Sequence, residues 1–202
     1  SHGEGYWQSY AATPKATGIR IFAGLVAWYD LDTEHIDVVK AFTHHDLKER
    51  LLCEQMEKFV EGGYQPDGKP KLVCLLHKGL EGIKQGANLH MTTNVEHLCG
   101  PCNLKQSVTE PTFFYRFVTI NDVQCILMML VWVDDIWTAF TRGGREKLLI
   151  PFLKVYKEKF NIKLLGPIKT FVSIDFTRDR AKRTIEMSQA RYIGVMVPNY
   201  LK

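Results

Sequence analysis

Two adjacent carboxylates, Asp134 and Asp135, stand inside the stretch LVWVDDIWTAF (130–140). The residues before them, Cys125 to Val133, carry no charge, and Ile136 to Phe140 are apolar but for Thr138. Neighbours in a strand point to opposite faces, yet a tight hairpin turn can hold both near one spot. Like charges held together need a cation or an exposed turn, and a solvated Asp-Asp turn is the plain alternative. About a hundred residues earlier, Asp37 lies in the short strand-like run EHIDVV (34–39). If the two strands are neighbours, Asp37, Asp134 and Asp135 converge. Such a trio suits hard divalent cations with oxygen ligands, Mg²⁺ above all. Two such ions can activate an attacking oxygen and stabilise a leaving one in phosphoryl transfer.

The elements that must position these residues follow from periodicity. Thr17 to Tyr29 reads as a helix with Ile21, Leu25 and Trp28 in its apolar stripe, and Phe22, Val26 and Tyr29 alongside. Gly62 to Pro70 reads as a loop. Lys78 to Leu98 reads as a helix whose Gly79, Gly82 and Gly86 mark a close approach of backbone. Phe113 to Val118 and Gln124 to Val133 form a hairpin through Ile120-Asn121-Asp122, and a second turn at Val133 to Asp135 leads into another strand. Gly144 to Phe160 reads as a helix, and Thr170 to Phe176 pairs with Thr184 to Met187. Helices packed on one face of an antiparallel sheet make an α+β domain.

Composition sets the outer bounds. The 202 residues are 46% hydrophobic, 11% aromatic and 24% charged, enough for a real core and unlike a disordered chain. A net charge of +4 permits contact with phosphate backbones without requiring it. Five cysteines, an odd number without framework spacing, point to a reducing compartment. The longest uncharged run is too short to span a bilayer, and the N-terminal SHGEGYWQSY has no signal-peptide core. The expectation is a soluble intracellular domain.

Five blocks, in order, resemble copia-type retrotransposon reverse transcriptases. IDVVKAFTHHDLKERLLCEQMEKFVEGG (36–63) looks like their motif A and its sequel, and VWVDDI (131–136) resembles their Tyr-Val-Asp-Asp box. KGLEGIKQG (78–86) is similar to Leu-Tyr-Gly-Leu-Lys-Gln-Ala, and TEPTFFYRF (109–117) to the Ser-Asp-Pro-Ser-Leu-Phe segment. LLGPIKTFVSIDFTRDRAKRTIEMSQARYI (164–193) looks like the primer-grip region and the start of the thumb. The resemblance implies one palm domain over 1–202, with 1–35 its entry, 36–160 its core and 161–202 the primer grip and start of the thumb. It implies that Asp37 and Asp134 hold Mg²⁺ or Mn²⁺ with Asp135 in support. Phe42 would exclude a ribose 2′-hydroxyl, and Gly82 and Gln85 would shape the nucleotide floor. An RNA or DNA template-primer and deoxynucleotides would be the partners.

The family's basic fingers, full thumb and RNase H domain fall outside these residues, and there are internal departures. Trp132 stands for the family's Tyr, Ser173 for the Gly of Phe-Leu-Gly-Ile, and the Pro-Arg-Ala-Trp block is lost. A second reading is therefore a retired palm serving as a scaffold, with protein partners covering the surfaces left by fingers and thumb. CGPC (99–102) matches a redox tetrapeptide but follows a helix, where Gly-Pro is ordinary turn chemistry. His90, His97, Cys99 and Cys102 are of the right type for zinc, at an unfamiliar spacing. The basic runs 142–147, 154–159 and 178–183 read as solvated surface when each is taken alone.

Overall fold

Ala16–Trp28 forms helix α1, with Ile19, Phe22, Ala23, Val26 and Ala27 buried at i, i+3, i+4, i+7 and i+8. The buried stripe is rotated from the expected one: Ile21, Trp28 and Tyr29 are exposed. The small side chains of Ala23 and Ala27 let the helix lie close, leaving the bulkier residues at its rim. The helix ends in a Schellman arrangement, in which Leu31 N–H donates to Val26 and Asp30 N–H to Ala27. Asp30 takes the left-handed position there, at φ +48°.

The computed structural model describes residues 11–44, 46–80, 83 and 86–200. They fall into two compact units, one of residues 12–41 with 91–202 and the other of residues 1–11 with 42–90.

The larger unit is built on a six-stranded antiparallel sheet in the order β4-β5-β6-β7-β1-β8. Its strands are β1 (Asp32–Val38), β4 (Lys105–Gln106), β5 (Phe113–Ile120), β6 (Val123–Trp132), β7 (Asp135–Phe140) and β8 (Ile162–Gly166). Strict alternation divides the central strands. Met128, Leu130, Trp137 and Ala139 face α1, together with Phe171 and Phe176. Leu127, Met129, Val131 and Ile136 point to the other face and are fully buried, where a π-helical turn (Arg145–Leu149) packs against β6 and β7. Helical elements therefore cover both faces of the sheet, not one. The expected helix over 144–160 is this π turn followed by α3 (Ile150–Tyr156). Pro151 has no N–H for the carbonyl four residues back, which breaks regular α-helix at that point.

Three hairpin turns show why the strands reverse where they do. Asn121 and Asp122 both have positive φ, 50° and 60°, the type I′ geometry that Asn and Asp tolerate. Val172 and Ser173 do the same at 50° and 60°, so the expected single strand 170–176 is broken. It becomes β9 (Thr170–Phe171) and β10 (Ile174–Asp179), with β11 (Thr184–Ser188) completing a three-stranded sheet. The third turn is the candidate site. Helix α4 (Ala190–Tyr200) follows.

In the smaller unit, β2 (Asp46–Glu54) pairs with β3 (Val73–Lys78). Lys78 ends this strand, and helix α2 begins only at Gly86, running to Cys99. The helix expected from Lys78 does not extend over Gly79 and Leu80, which lie in no regular element. Gly79 does mark a close backbone approach: a Cβ there would run into the Phe42 carbonyl oxygen.

Candidate active site

Strands β6 and β7 stay in register up to Trp132↔Asp135, leaving Val133 and Asp134 as a two-residue connection. Val133 has φ +53° and Asp134 does not have positive φ, the sign pattern of a type II′ turn, whose first central residue is usually Gly. The turn is anchored by Val38 N–H, which donates to the Asp134 carbonyl at 2.8 Å. Asp134 is exposed at the tip, while Asp135 has already entered β7 and is half-buried.

Across the sheet, Asp135 lies directly opposite Asp37, and Asp37 directly opposite Lys163 of β8. Trp132, Asp135, Asp37 and Lys163 thus form one row on one face of four adjacent strands. Like charges placed opposite each other cost roughly 0.2–1 kcal/mol, so sheet stability alone does not favour the pair. His35, two residues before Asp37 and on its face, donates from Nε2 to Asp135 Oδ1. Asp37 and Asp135 face each other across the β1–β7 pair, and Asp134 sits in the turn between β6 and β7. Hard carboxylate oxygens suit Mg²⁺ or Mn²⁺. Among the described residues no three His, Cys, Asp or Glu side chains are gathered as a metal cage, so the fit rests on donor type and on the facing pair.

His35 and Lys163 were not singled out from sequence. Strand alternation two residues from Asp37 could have found His35. Lys163 could not be found, because its relevance depends on β8 joining the sheet beside β1.

Phe42 belongs to the smaller unit, in the 3-10 turn Ala41–His44. Its ring meets His90 edge-on at 6.4 Å, and its Cδ1 would lie 3.2 Å from a Cβ at Gly86. Gly82 and Gln85 lie outside the described residues.

The cysteine and histidine set has other occupations. His97 Nε2 donates to the Val155 carbonyl at 3.1 Å, and its ring packs on Tyr156 and Phe160. Cys99 closes α2, and Gly100 and Cys102 donate back to Glu96 and His97 as a helix-terminating turn. Burial pushes the Cys102 thiol up to about 12 against the opposing pull of Arg116, and burial also raises Cys99. A redox pair needs a lowered thiolate pKa, so CGPC is turn chemistry here.

The fold is a mixed α and β domain built on antiparallel sheets. The sequence profile of the family described as reverse transcriptase (RNA-dependent DNA polymerase) matches residues 1–200. The chain belongs to that family, in its copia-type retrotransposon branch. It is 32% identical over 185 residues to the retrovirus-related Pol polyprotein from transposon TNT 1-94 of Nicotiana tabacum, covering 91% of this chain and 13% of that protein. It is 26% identical over 191 residues to the corresponding polyprotein from transposon RE1 of Arabidopsis thaliana, covering 95% of this chain and 12% of that protein. The chain thus spans about an eighth of the length of these relatives. No solved structure matches it.

Proposed function

We infer that this chain is the palm of an RNA-directed DNA polymerase, with residues 36–160 as its core and 161–202 as primer grip and start of the thumb. The observation that carries the reading is the facing of Asp37 and Asp135 beside the Val133–Asp134 turn, in a chain of this family. Asp37 and Asp134, supported by Asp135, are the residues that would hold Mg²⁺ or Mn²⁺. A bound divalent ion supplies charge neutralisation and Lewis acidity at the phosphate under attack. The chain's own side chains do the positioning. His35 holds one oxygen of Asp135 through its Nε2–H. Trp132 offers a flat apolar surface next to the carboxylates, where the primer end would lie. By the family resemblance, Phe42, Gly82 and Gln85 would be the chain's deoxynucleotide-binding residues, and an RNA or DNA template-primer its partner.

The test is primer extension on an RNA template with a DNA primer, deoxynucleotides and Mg²⁺ or Mn²⁺, run beside Asp37→Asn and Asp134→Asn. Extension should fall at least about a hundredfold in either variant, with both variants unfolding at the parent temperature. Folded parent protein that extends no primer with either metal would overturn the polymerase reading and favour a scaffold role.

A further inference from the structure

Strand β5 is left open along much of its outer side. Its neighbour β4 is two residues long and pairs only with Phe114 and Tyr115. Leu104 N–H then donates to the Leu98 carbonyl, which turns the chain toward α2. From Arg116 to Ile120 no strand lies on that side of β5 among the described residues. Alternation of the backbone tells which groups are left open. Ser107 N–H donates to the Phe113 carbonyl on the β4 side. Ile126, opposite Phe117, turns its N–H and carbonyl to Thr141 on the β7 side. With a period of two, the N–H and C=O of Phe117 and Thr119 point out from the sheet edge, and both residues are exposed.

The two faces beside this edge differ in chemistry. On the α1 face, Phe117 is 56% exposed and borders an open apolar groove of about 490 Å³ with Ile126, Leu25 and Tyr29. On the opposite face stands Arg116, across from buried Leu127, and the π turn covering that face contributes Lys147. Arg116 and Lys147, with Lys105 from the end of β4, line a cavity of about 510 Å³ along the edge. No carboxylate lines it among the described residues.

We propose that the outer edge of β5 accepts an extended acidic peptide as an added strand, in which carboxylate and apolar side chains alternate. Its backbone bonds to Phe117 and Thr119, its apolar side chains lie beside Phe117, and its carboxylates meet Arg116 and Lys147 on the other face. Charge selects this occupant. A second copy paired antiparallel through the same edge would bring the cations of both copies onto one face, and like charges at an open edge disfavour that pairing. An uncharged apolar strand would leave the cationic cavity unmatched. Phe117 lies opposite Ile126, six residues along β6 from Trp132, or roughly 20 Å at the usual strand rise. Peptide capture there is independent of polymerase activity.

The experiment titrates the 202-residue chain with a fluorescent peptide, Gly-Glu-Val-Glu-Ile-Glu-Val-Glu-Gly, and with its counterpart carrying Lys for every Glu. The acidic peptide should bind at least about tenfold more tightly. At saturation it should slow hydrogen exchange at the Phe117 and Thr119 amides. The Val118 amide, bonded to β6 by the same alternation, should not change. Thr119→Pro removes an outward N–H while leaving the β5–β6 ladder intact, and should weaken binding about tenfold. Lys147→Glu, at an exposed position, should weaken the acidic peptide about fivefold and strengthen the basic one. Unfolding curves matching the parent exclude misfolding as the cause. Equal binding of the two peptides, or binding that leaves both outward amides exchanging freely and Thr119→Pro without effect, overturns the proposal. So does a concentration-dependent dimer that protects the same amides without peptide, which would make the edge a contact between copies.

Discussion

At φ +53°, the β-branched side chain of Val133 crowds its own backbone at the first central position of the β6–β7 turn. Such a conformation costs of order 1–3 kcal/mol and is kept where surrounding structure over-determines it. Here that structure is the flanking register and the Val38–Asp134 hydrogen bond. Replacing Val133 with Asn, which tolerates the left-handed region, should therefore raise stability by about 1 kcal/mol, read as a higher thermal midpoint. A lower midpoint would mean that Val133 contributes more by packing than it loses by strain. Gly79 poses the opposite case. Its missing Cβ makes room for a backbone carbonyl, not for a side chain that could swing away. Gly79→Ala should cost about 1–3 kcal/mol in a urea titration, and a neutral result would mean the segment can shift aside. These residues also show what a sequence discloses. Asp134 and Asp135 are conspicuous because charge interrupts an apolar run. The strain at Val133 is invisible until the register places two residues, and no more, in the turn.

At the scale of elements, the junction of α1 and β1 depends on charge. Asp30 sits where a Schellman ending ordinarily has Gly, and its carboxylate meets Arg142 at 2.7 Å, Arg178 at 2.9 Å and Arg180 at 2.7 Å. One residue thus links the helix end to β10 and to the segment after β7. Burial alone would raise this carboxyl, but Arg180, Arg142 and Arg178 together hold it below its ordinary value of 3.8. With the folded pKa depressed, the stabilisation is fully present above that ordinary value and is lost as pH falls through the lower folded one. The gap in thermal midpoint between the parent and Asp30→Asn should stay constant from about pH 7 to pH 5. It should then close in the acid range below 3.8. A gap that persists unchanged at the acid extreme would show that the ion pairs carry none of it. The β9–β10 turn makes a second prediction. Val172 and Ser173 hold type I′ angles for which Asn-Gly is the favoured pair, so Val172→Asn with Ser173→Gly should stabilise by about 1 kcal/mol on thermal unfolding. The Asn121–Asp122 turn was legible because its residues suit the geometry; the turn at 172–173 was not, because a Val-Ser pair looks like continuous strand.

For the whole molecule, legibility follows burial. Strand β6 is buried from Leu127 to Val131 and β7 from Ile136 to Phe140, and both stretches stand out as uncharged runs. Strands β2 and β3 escaped notice because little of their described side chains is buried: β3 has no fully buried residue, and Leu52, Val73 and Leu75 are exposed. Their alternation carries no apolar face for a sequence pattern to betray. The same contrast sets an expectation for dynamics. A two-stranded hairpin is marginal by itself, whereas β6 and β7 lie between covered faces at the middle of six strands. Local opening is governed by how few apolar contacts must break. Native-state hydrogen exchange should therefore find the amides of Leu127 to Trp132 and Ile136 to Phe140 opening only with global unfolding. Those paired between Leu51–Glu54 and Val73–Leu76 should exchange by local opening at far lower free energy, and with a shallower dependence on denaturant. Equal protection in both regions would mean that the hairpin unfolds with the core as a single cooperative body. In that case the catalytic candidates on β1 and β7, and Phe42 in the smaller unit, would share one folding transition, and a destabilising change in either unit would lower primer extension through stability alone.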